Sequence, residues 1–392
     1  MSEWKEYKLG DFGTVITGNT PSSKNPEDWG DEMLFVTPSD YKNYLKYANR
    51  SDRKLSSIGF NRLNKKILPP NSLLVTCIGS DMGKVVKASD YCITNQQINS
   101  IIPNDKFDSD FIYYKLIDLY DTLRIYGGDG TAVPIVNKTD FESIVAEVPE
   151  NKEEQERIAG VLSSLDDKID LLTRQNATLE AMAETLFRQY FIENPKENWK
   201  DGVIADIIDF NPTRKLSKDI IAPFLEMSNL STTTYAPNGW YDRSFSSGTK
   251  FKNGDTLLAR ITPCLENGKT AYVDFLEDEQ VAWGSTEYIV MCPKCGLHPF
   301  FAYIVAKYQD FRDYAESCMS GSSGRQRVDV DNLKGYEIKM PDAEIIKRFN
   351  VLIDSIVSKM NCNNKQIRIL TKLHNTMLPK LINNEINIQS YD

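Results

Sequence analysis

Histidine is almost missing from this chain: His298 and His374 are the only two in 392 residues. A Ser/His/Asp relay needs a histidine held between nucleophile and carboxylate, so acyl-transfer chemistry has little to work with. Long apolar runs are missing too. No stretch approaches the roughly 18 residues a membrane span requires, and the opening "MSEWKEYKLG" has no apolar signal region. These absences predict a cytoplasmic protein with no membrane partner. The seven cysteines are an odd number scattered over a long chain, which argues for reduced thiols over a disulfide framework. Net positive charge is also lacking. The formal charge is −9, whereas nucleic-acid binders usually present a basic surface. The charge is uneven, however. Glu150, Glu153, Glu154, Glu156, Asp166, Asp167 and Asp170 crowd one segment, while several loops elsewhere set Lys and Arg beside Ser, Thr, Asn and Gln.

Familiar catalytic motifs fail at specific residues. "GSDMGKV" from Gly79 is one residue short of a phosphate-binding loop and has Val85 where a hydroxyl must hold magnesium. "PCLENGKT" has Gly268, Lys269 and Thr270 in place, but Pro263 stands where the first glycine belongs. Cys292, Cys295 and His298 in "MCPKCGLH" form either half of a zinc knuckle or a plain turn, since a closed site needs four ligands and no second CxxC exists. Glu337 and Lys339, with Asp329 or Asp331 upstream, read as a carboxylate cluster or as alternating charge on an edge strand.

What is present is a repeat. A 41% hydrophobic, 26% charged composition suits a globular chain of two or three domains, and features recur in the same order about 190 residues apart. "WKEYKLGDFG" at Trp4 is echoed by "WKDGVIADII" at Trp199, "SLLVTC" at Ser72 by "TLLARI" at Thr256, and "NQQINSIIP" by "STEYIVMCP". "FIYYKL" at Phe111 and "FAYIVA" at Phe301 read as amphipathic helix starts. A Gly-rich loop follows in each half, "YGGDGTAVP" and "MSGSSGRQRV", then a short strand ending at Pro149 or Pro341.

After each proline comes a heptad seam. The first carries Ile158, Leu162, Leu165, Ile169, Leu172, Asn176 and Leu179, continuing through Ala183, Leu186 and Tyr190. The second carries Phe349, Ile353, Ile356, Met360, Asn363, Ile367 and Leu370, continuing through His374, Met377 and Leu381. Full antiparallel overlap sets Ile158 against Leu381 and Asn176 against Asn363, a polar pair able to fix register. The plan is α+β: two repeated α/β domains separated by two long helices that form an antiparallel coiled coil with an internal pseudo-twofold. The boundaries fall at 1–149, 150–195, 196–341 and 342–392. A seam of about 33 residues is roughly 50 Å long at 1.5 Å per residue, or about one and a half turns of duplex.

With catalysis unsupported, the repeated polar loops are the functional surface. Arg and Lys suit guanine edges and phosphates, Asn and Gln suit adenine, and Ser, Thr and Gly amides suit phosphate. The candidates for DNA contact are Thr20, Ser22, Ser23, Lys24, Lys84, Gln96 and Gln97 in the first copy. Arg214, Lys215, Arg260, Lys269, Arg325, Gln326 and Arg327 are those of the second. No residue is assigned to catalysis or to a metal. A nuclease or methyltransferase acting alone, and a coiled-coil adaptor without a DNA role, are the competing classes.

These residues resemble a known family, the specificity subunit of type I restriction-modification enzymes. The likeness rests on "WKEYKLGD" with "TGNTP" just after it, on "NSLLV" and "GDTLLA", and on the Gly-rich loops. Above all it rests on the run Pro149, Glu154, Gln155, Ile158, Ala159, Leu162, Asp166 and Ile169. The second helix departs from that run, with Ile345 and Ile346 in place of Glu154 and Gln155. The resemblance implies two target-recognition domains that read double-stranded DNA at a bipartite site. It also implies recruitment of two modification subunits and two restriction subunits. The modification subunits would use S-adenosylmethionine to methylate adenine N6 on a flipped base, and the restriction subunits ATP and magnesium; this chain itself would need no cofactor and catalyse nothing. The acidic helix faces would meet the protein partners.

Overall fold

The computed structural model describes residues 3–128, 134–294, 296–322, 324–386 and 388. Contacts divide the chain into two compact units, one of residues 1–170 with 368–392 and the other of residues 171–367. Both cuts fall inside the long helices, Lys152–Phe187 and Ala343–Ile382, so each unit contains one globular copy and a portion of each helix.

In the first unit a five-stranded sheet runs in the order Gly13–Thr17, Ile98–Pro103, Leu73–Thr76, Val85–Ala88, Tyr47–Ala48. Leu73–Thr76 lies inside it with every residue buried, which explains why "LLVT" is a continuous apolar run instead of an alternating one. A second sheet of four short strands contains Met33–Val36 and Cys92–Thr94 side by side and parallel. The ribbon Trp4–Lys8 pairs antiparallel with Val145–Pro149 and brings the chain to the first long helix.

The second unit repeats the plan. Its main sheet runs Ile208–Phe210, Tyr288–Pro293, Thr256–Ala259, Thr270–Tyr272, and the ribbon Asp201–Val203 with Glu337–Lys339 delivers the chain to the second long helix. The strand registers correct one detail of the repeat. Leu73 pairs with Ile101, and Thr256 pairs with Met291; since Ile101 and Met291 are repeat partners, Leu73 is the counterpart of Thr256, one residue on from the match at Ser72.

Asp108 starts the helix Ser109–Asp118 by accepting from the Phe111 amide at 2.8 Å. Neither this helix nor Phe300–Lys307 is amphipathic in its setting. Phe111 to Leu116 and Phe300 to Ala306 are all buried, because each helix belongs to a core shared by the main sheet and the long helices. A helix apolar all round is a buried one.

The two long helices begin alike. Asn151 accepts from the Glu154 amide at 3.1 Å, and Asp342, its counterpart, accepts from Ile345 at 2.9 Å, satisfying amides that a helix start leaves free. In the first unit Ile158 and Leu162 share a core with Leu378, Leu381 and Ile382, and Asp166 meets His374 at 3.3 Å. In the second unit Phe191 packs edge-on against Phe349, with centroids 4.8 Å apart. There Asn363 Nδ2 donates to Asn176 Oδ1 at 2.9 Å, and Asn176 Nδ2 to Asn364 Oδ1 at 3.0 Å. The helix segments therefore run antiparallel within each unit. Leu172, Ile353, Ile356 and Met360 are buried, and Leu165, Ile169, Leu179, Ile367 and Leu370 half-buried.

Gln155 is fully buried, donating to the Pro149 carbonyl at 2.7 Å and accepting from the Asp108 amide at 2.8 Å. This part of the run from Pro149 to Ile169 thus ties strand end, helix start and domain together from inside. Ile345 and Ile346 instead pack against the apolar core of the second unit.

Candidate nucleic-acid interface

Strand register places the candidate loops of the first copy at one end of its main sheet. Thr17 is level with Asn99, Thr76 with Ile98, and Val75 with Val85. The loops after Thr17, between Thr76 and Val85, and before Ile98 therefore emerge together. Their closure depends on Gly18: a Cβ there would lie 2.2 Å from the Asn95 carbonyl oxygen and 2.3 Å from that of Thr94. Backbone bonds from Gly18 to Ile98 and from Asn19 to Thr94 complete the junction. The Thr20 hydroxyl then donates to Gln96 Oε1 at 2.7 Å, on exposed surface. Ser22, Ser23 and Lys24 follow, all exposed. Lys84 is exposed and holds Asp81 at 2.6 Å. Gln97 is half-buried and accepts from Asn95 Nδ2 at 2.9 Å. The Gly-rich loop returns to the same end, where Ile135 bridges to Ile78; its residues 129–133 lie outside the described residues.

The second copy builds the same end from different side chains. Ala259 is level with Tyr288, and beyond them Arg260, Glu287 and Arg327 come together. Arg327 donates to Glu287 through Nε and Nη2 at 2.8 to 3.0 Å, and Arg260 Nε lies 4.0 Å from the same carboxylate. This pairing pushes the Arg327 guanidinium further above its ordinary range. Arg325 is exposed. The Gln326 amide bonds Thr262 Oγ1 at 3.1 Å, and Thr262 N donates to the Gln326 carbonyl at 3.1 Å. The Lys269 ammonium is half-buried and donates to the Met227 carbonyl at 2.9 Å. Ser323 of this loop lies outside the described residues.

Arg214 goes elsewhere. Its Nε and Nη2 donate to Asp255 at 3.2 and 2.7 Å, and Asp255, 1% exposed, precedes Thr256 at the opposite end of the strand from Arg260. Arg214 therefore holds a buried carboxylate in place, while Lys215 beside it is exposed. Glu287 and Ile135 were missed as candidates. The aligned runs "NQQ" and "STE" held the signal for Glu287, since they set it opposite Gln97.

The other motifs resolve into structural roles. Asp329 caps the short helix Val330–Leu333, Asp331 pairs with Lys334 at 2.7 Å, and Glu337 and Lys339 flank buried Ile338 on a two-stranded ribbon. His298 Nδ1 accepts from the Phe300 amide at 3.1 Å, and burial lowers its pKa. Cys295 lies outside the described residues, and among the described residues no three His, Cys, Asp or Glu side chains are grouped to hold a metal ion. No helix among the described residues is long and apolar enough to cross a membrane.

Comparison with known proteins gives one answer. A family model described as the type I restriction modification DNA specificity domain matches residues 1–181. The MjaIX type I restriction enzyme specificity subunit of Methanocaldococcus jannaschii is 25% identical over 435 residues, covering 99% of this chain and 94% of that one. The HindI specificity subunit of Haemophilus influenzae is 37% identical over 143 residues, 36% of this chain and 31% of that one. In fold, the chain is like the crystal structure of a type I restriction-modification S subunit from M. genitalium, with a TM-score of 0.59 over 99% of this chain and 97% of that one at 15% identity. Residues 1–181 thus match the type I restriction modification DNA specificity domain, and over nearly its full length the chain is similar to a type I restriction enzyme specificity subunit.

Proposed function

We propose that the two loop ends are the DNA-reading surfaces of a specificity subunit, each contacting one half of a bipartite duplex site. The first uses Thr20, Ser22, Ser23, Lys24, Lys84, Gln96 and Gln97; the second uses Lys215, Arg260, Lys269, Arg325, Gln326 and Arg327, with Arg214 bracing the sheet behind them. The recognition domains are residues 1–149 and 196–341, and the helical spacers 150–195 and 342–392. Specificity subunits supply the DNA recognition of type I systems and leave catalysis to the modification and restriction subunits they assemble with; two of each would join this chain.

One observation carries this reading. The two copies converge on the same loop end through matching backbone bonds, Cys77 N to the Gln97 carbonyl at 2.8 Å and Arg260 N to Glu287 at 3.0 Å, yet present different polar side chains there. A shared frame with divergent tips suits two readers of unlike sequences. Co-expression with the cognate modification subunit in a methylation-free host, followed by mapping of modified adenines, tests it. A split motif with an unread gap is expected; scattered or absent methylation defeats the proposal.

A further inference from the structure

The repeat equates one position of each loop end atom by atom. Ile78 bridges Ile135 in the first copy, and Ile261 bridges Arg327 in the second. The Val136 amide donates to the Cys77 carbonyl at 2.9 Å, and that of Val328 to the Arg260 carbonyl at 2.9 Å. Ile135 and Arg327 are therefore the same structural position, and both are exposed, at 51% for Ile135 and 46% for the Arg327 side chain. Single exposed aliphatic side chains are common on protein surfaces, so what singles out Ile135 is that it occupies the bridge position that carries Arg327 in the other copy.

We infer that this bridge position reads a base in each copy: Arg327, braced by Glu287, a guanine, and Ile135 the methyl group of a thymine. The inference rests on the DNA-reading function proposed above. Arg327 spends its Nε and one Nη2 hydrogen on Glu287. A guanidinium has five N–H donors in a rigid fork, so the edge formed by Nη1 and Nη2 retains the two donors that match guanine O6 and N7. The carboxylate fixes the fork before DNA arrives, which removes part of the ordering cost of binding. Glu287 is thus a positioning residue. Its counterpart Gln97 has no arginine to brace, because the bridge there carries Ile135, whose apolar end fits a thymine methyl.

The test uses the complex with its modification subunit and the methylation map. In the Arg327→Gln variant one guanine position of the second half-site relaxes, with discrimination falling roughly tenfold to a hundredfold, and the first half-site is unchanged. Glu287→Gln weakens discrimination at that same position alone. Ile135→Ser relaxes one A·T position of the first half-site. Should Arg327→Gln fail to assemble, the wild-type complex is assayed on duplexes carrying 7-deazaguanine at each guanine of the second half-site in turn; loss of binding at one of them supports the assignment, and undiminished binding at all of them overturns it. An Arg327→Gln map identical to wild type, with a split motif present, overturns the assignment and leaves the bipartite function standing. A wild-type complex with no split motif overturns both.

Discussion

Asp110 faces two buried ammonium groups. Lys87, 1% exposed, donates to it at 2.7 Å, and Lys46, 7% exposed, lies 2.8 Å away while also donating to Ser163 on the first long helix at 2.9 Å. Burial lowers the Lys87 pKa, opposed by the Asp110 hydrogen bond. Burial would raise the Asp110 carboxyl, but the two lysines hold it below its ordinary value. Removing one partner of a buried pair leaves an uncompensated charge, at roughly 3 to 5 kcal/mol. Asp110→Asn should destabilise the protein on that scale in chemical denaturation. The folded Lys87 pKa then falls further below its unfolded value, so the folded state binds fewer protons and the variant should regain stability as pH rises toward 10. The seam asparagines give the second residue-scale prediction. Asn176→Leu leaves the buried Asn363 amide only the longer bond to Gln175 Oε1 at 3.4 Å and takes the Asn176 donor from Asn364 Oδ1. This should cost about 1 to 3 kcal/mol, and Asn176→Leu with Asn363→Leu should recover the part of that loss owed to Asn363. Equal melting temperatures for wild type and the single variant would contradict it. At this scale the sequence was partly legible: it placed Asn176 opposite Asn363, but it could not show that Asn364 completes the cluster or that Arg214 is spent on Asp255, because both depend on which neighbours folding brings near.

Among the elements, the long helices depend on their first turns. Asp342 caps the second, pairs with Lys196 at 2.6 Å and accepts from Trp199 Nε1 at 3.4 Å. The Lys196 hydrogen bond, then the Ile345 amide, depress its pKa to about 2. A carboxyl depressed on folding contributes stability that is complete above its unfolded pKa near 4 and vanishes as pH falls toward about 2. Asp342→Ala should therefore melt lower than wild type at pH 6, and the gap should narrow at pH 3; a gap that widens on acidification would refute this role. Both seams could be read from periodicity, and both helix starts from the proline before each, which are local properties. The buried helices at Phe111 and Phe300 could not be read correctly, since "FIYYKL" does not disclose that two layers cover it.

For the whole molecule, the repeat predicts separable specificities. Replacing residues 1–149 with the corresponding domain of another family member should alter one half of the methylated motif and leave the other intact, as read by mapping modified adenines. Changes in both halves would show that the copies do not read independently.

Residue order and spacing alone carry the two-copy plan, the paired heptad seams and the likeness to type I specificity subunits, because each survives without coordinates. Tertiary structure alone decided which polar side chains share a loop end and which are spent on structure. It set the one-residue correction at Leu73 and Thr256, joined Arg327 to Glu287 across 40 residues, and turned Arg214 inward to Asp255. The physical reason is that strand pairing and loop closure choose neighbours by backbone hydrogen bonding and burial, and neither term is recorded in the identity of an arginine.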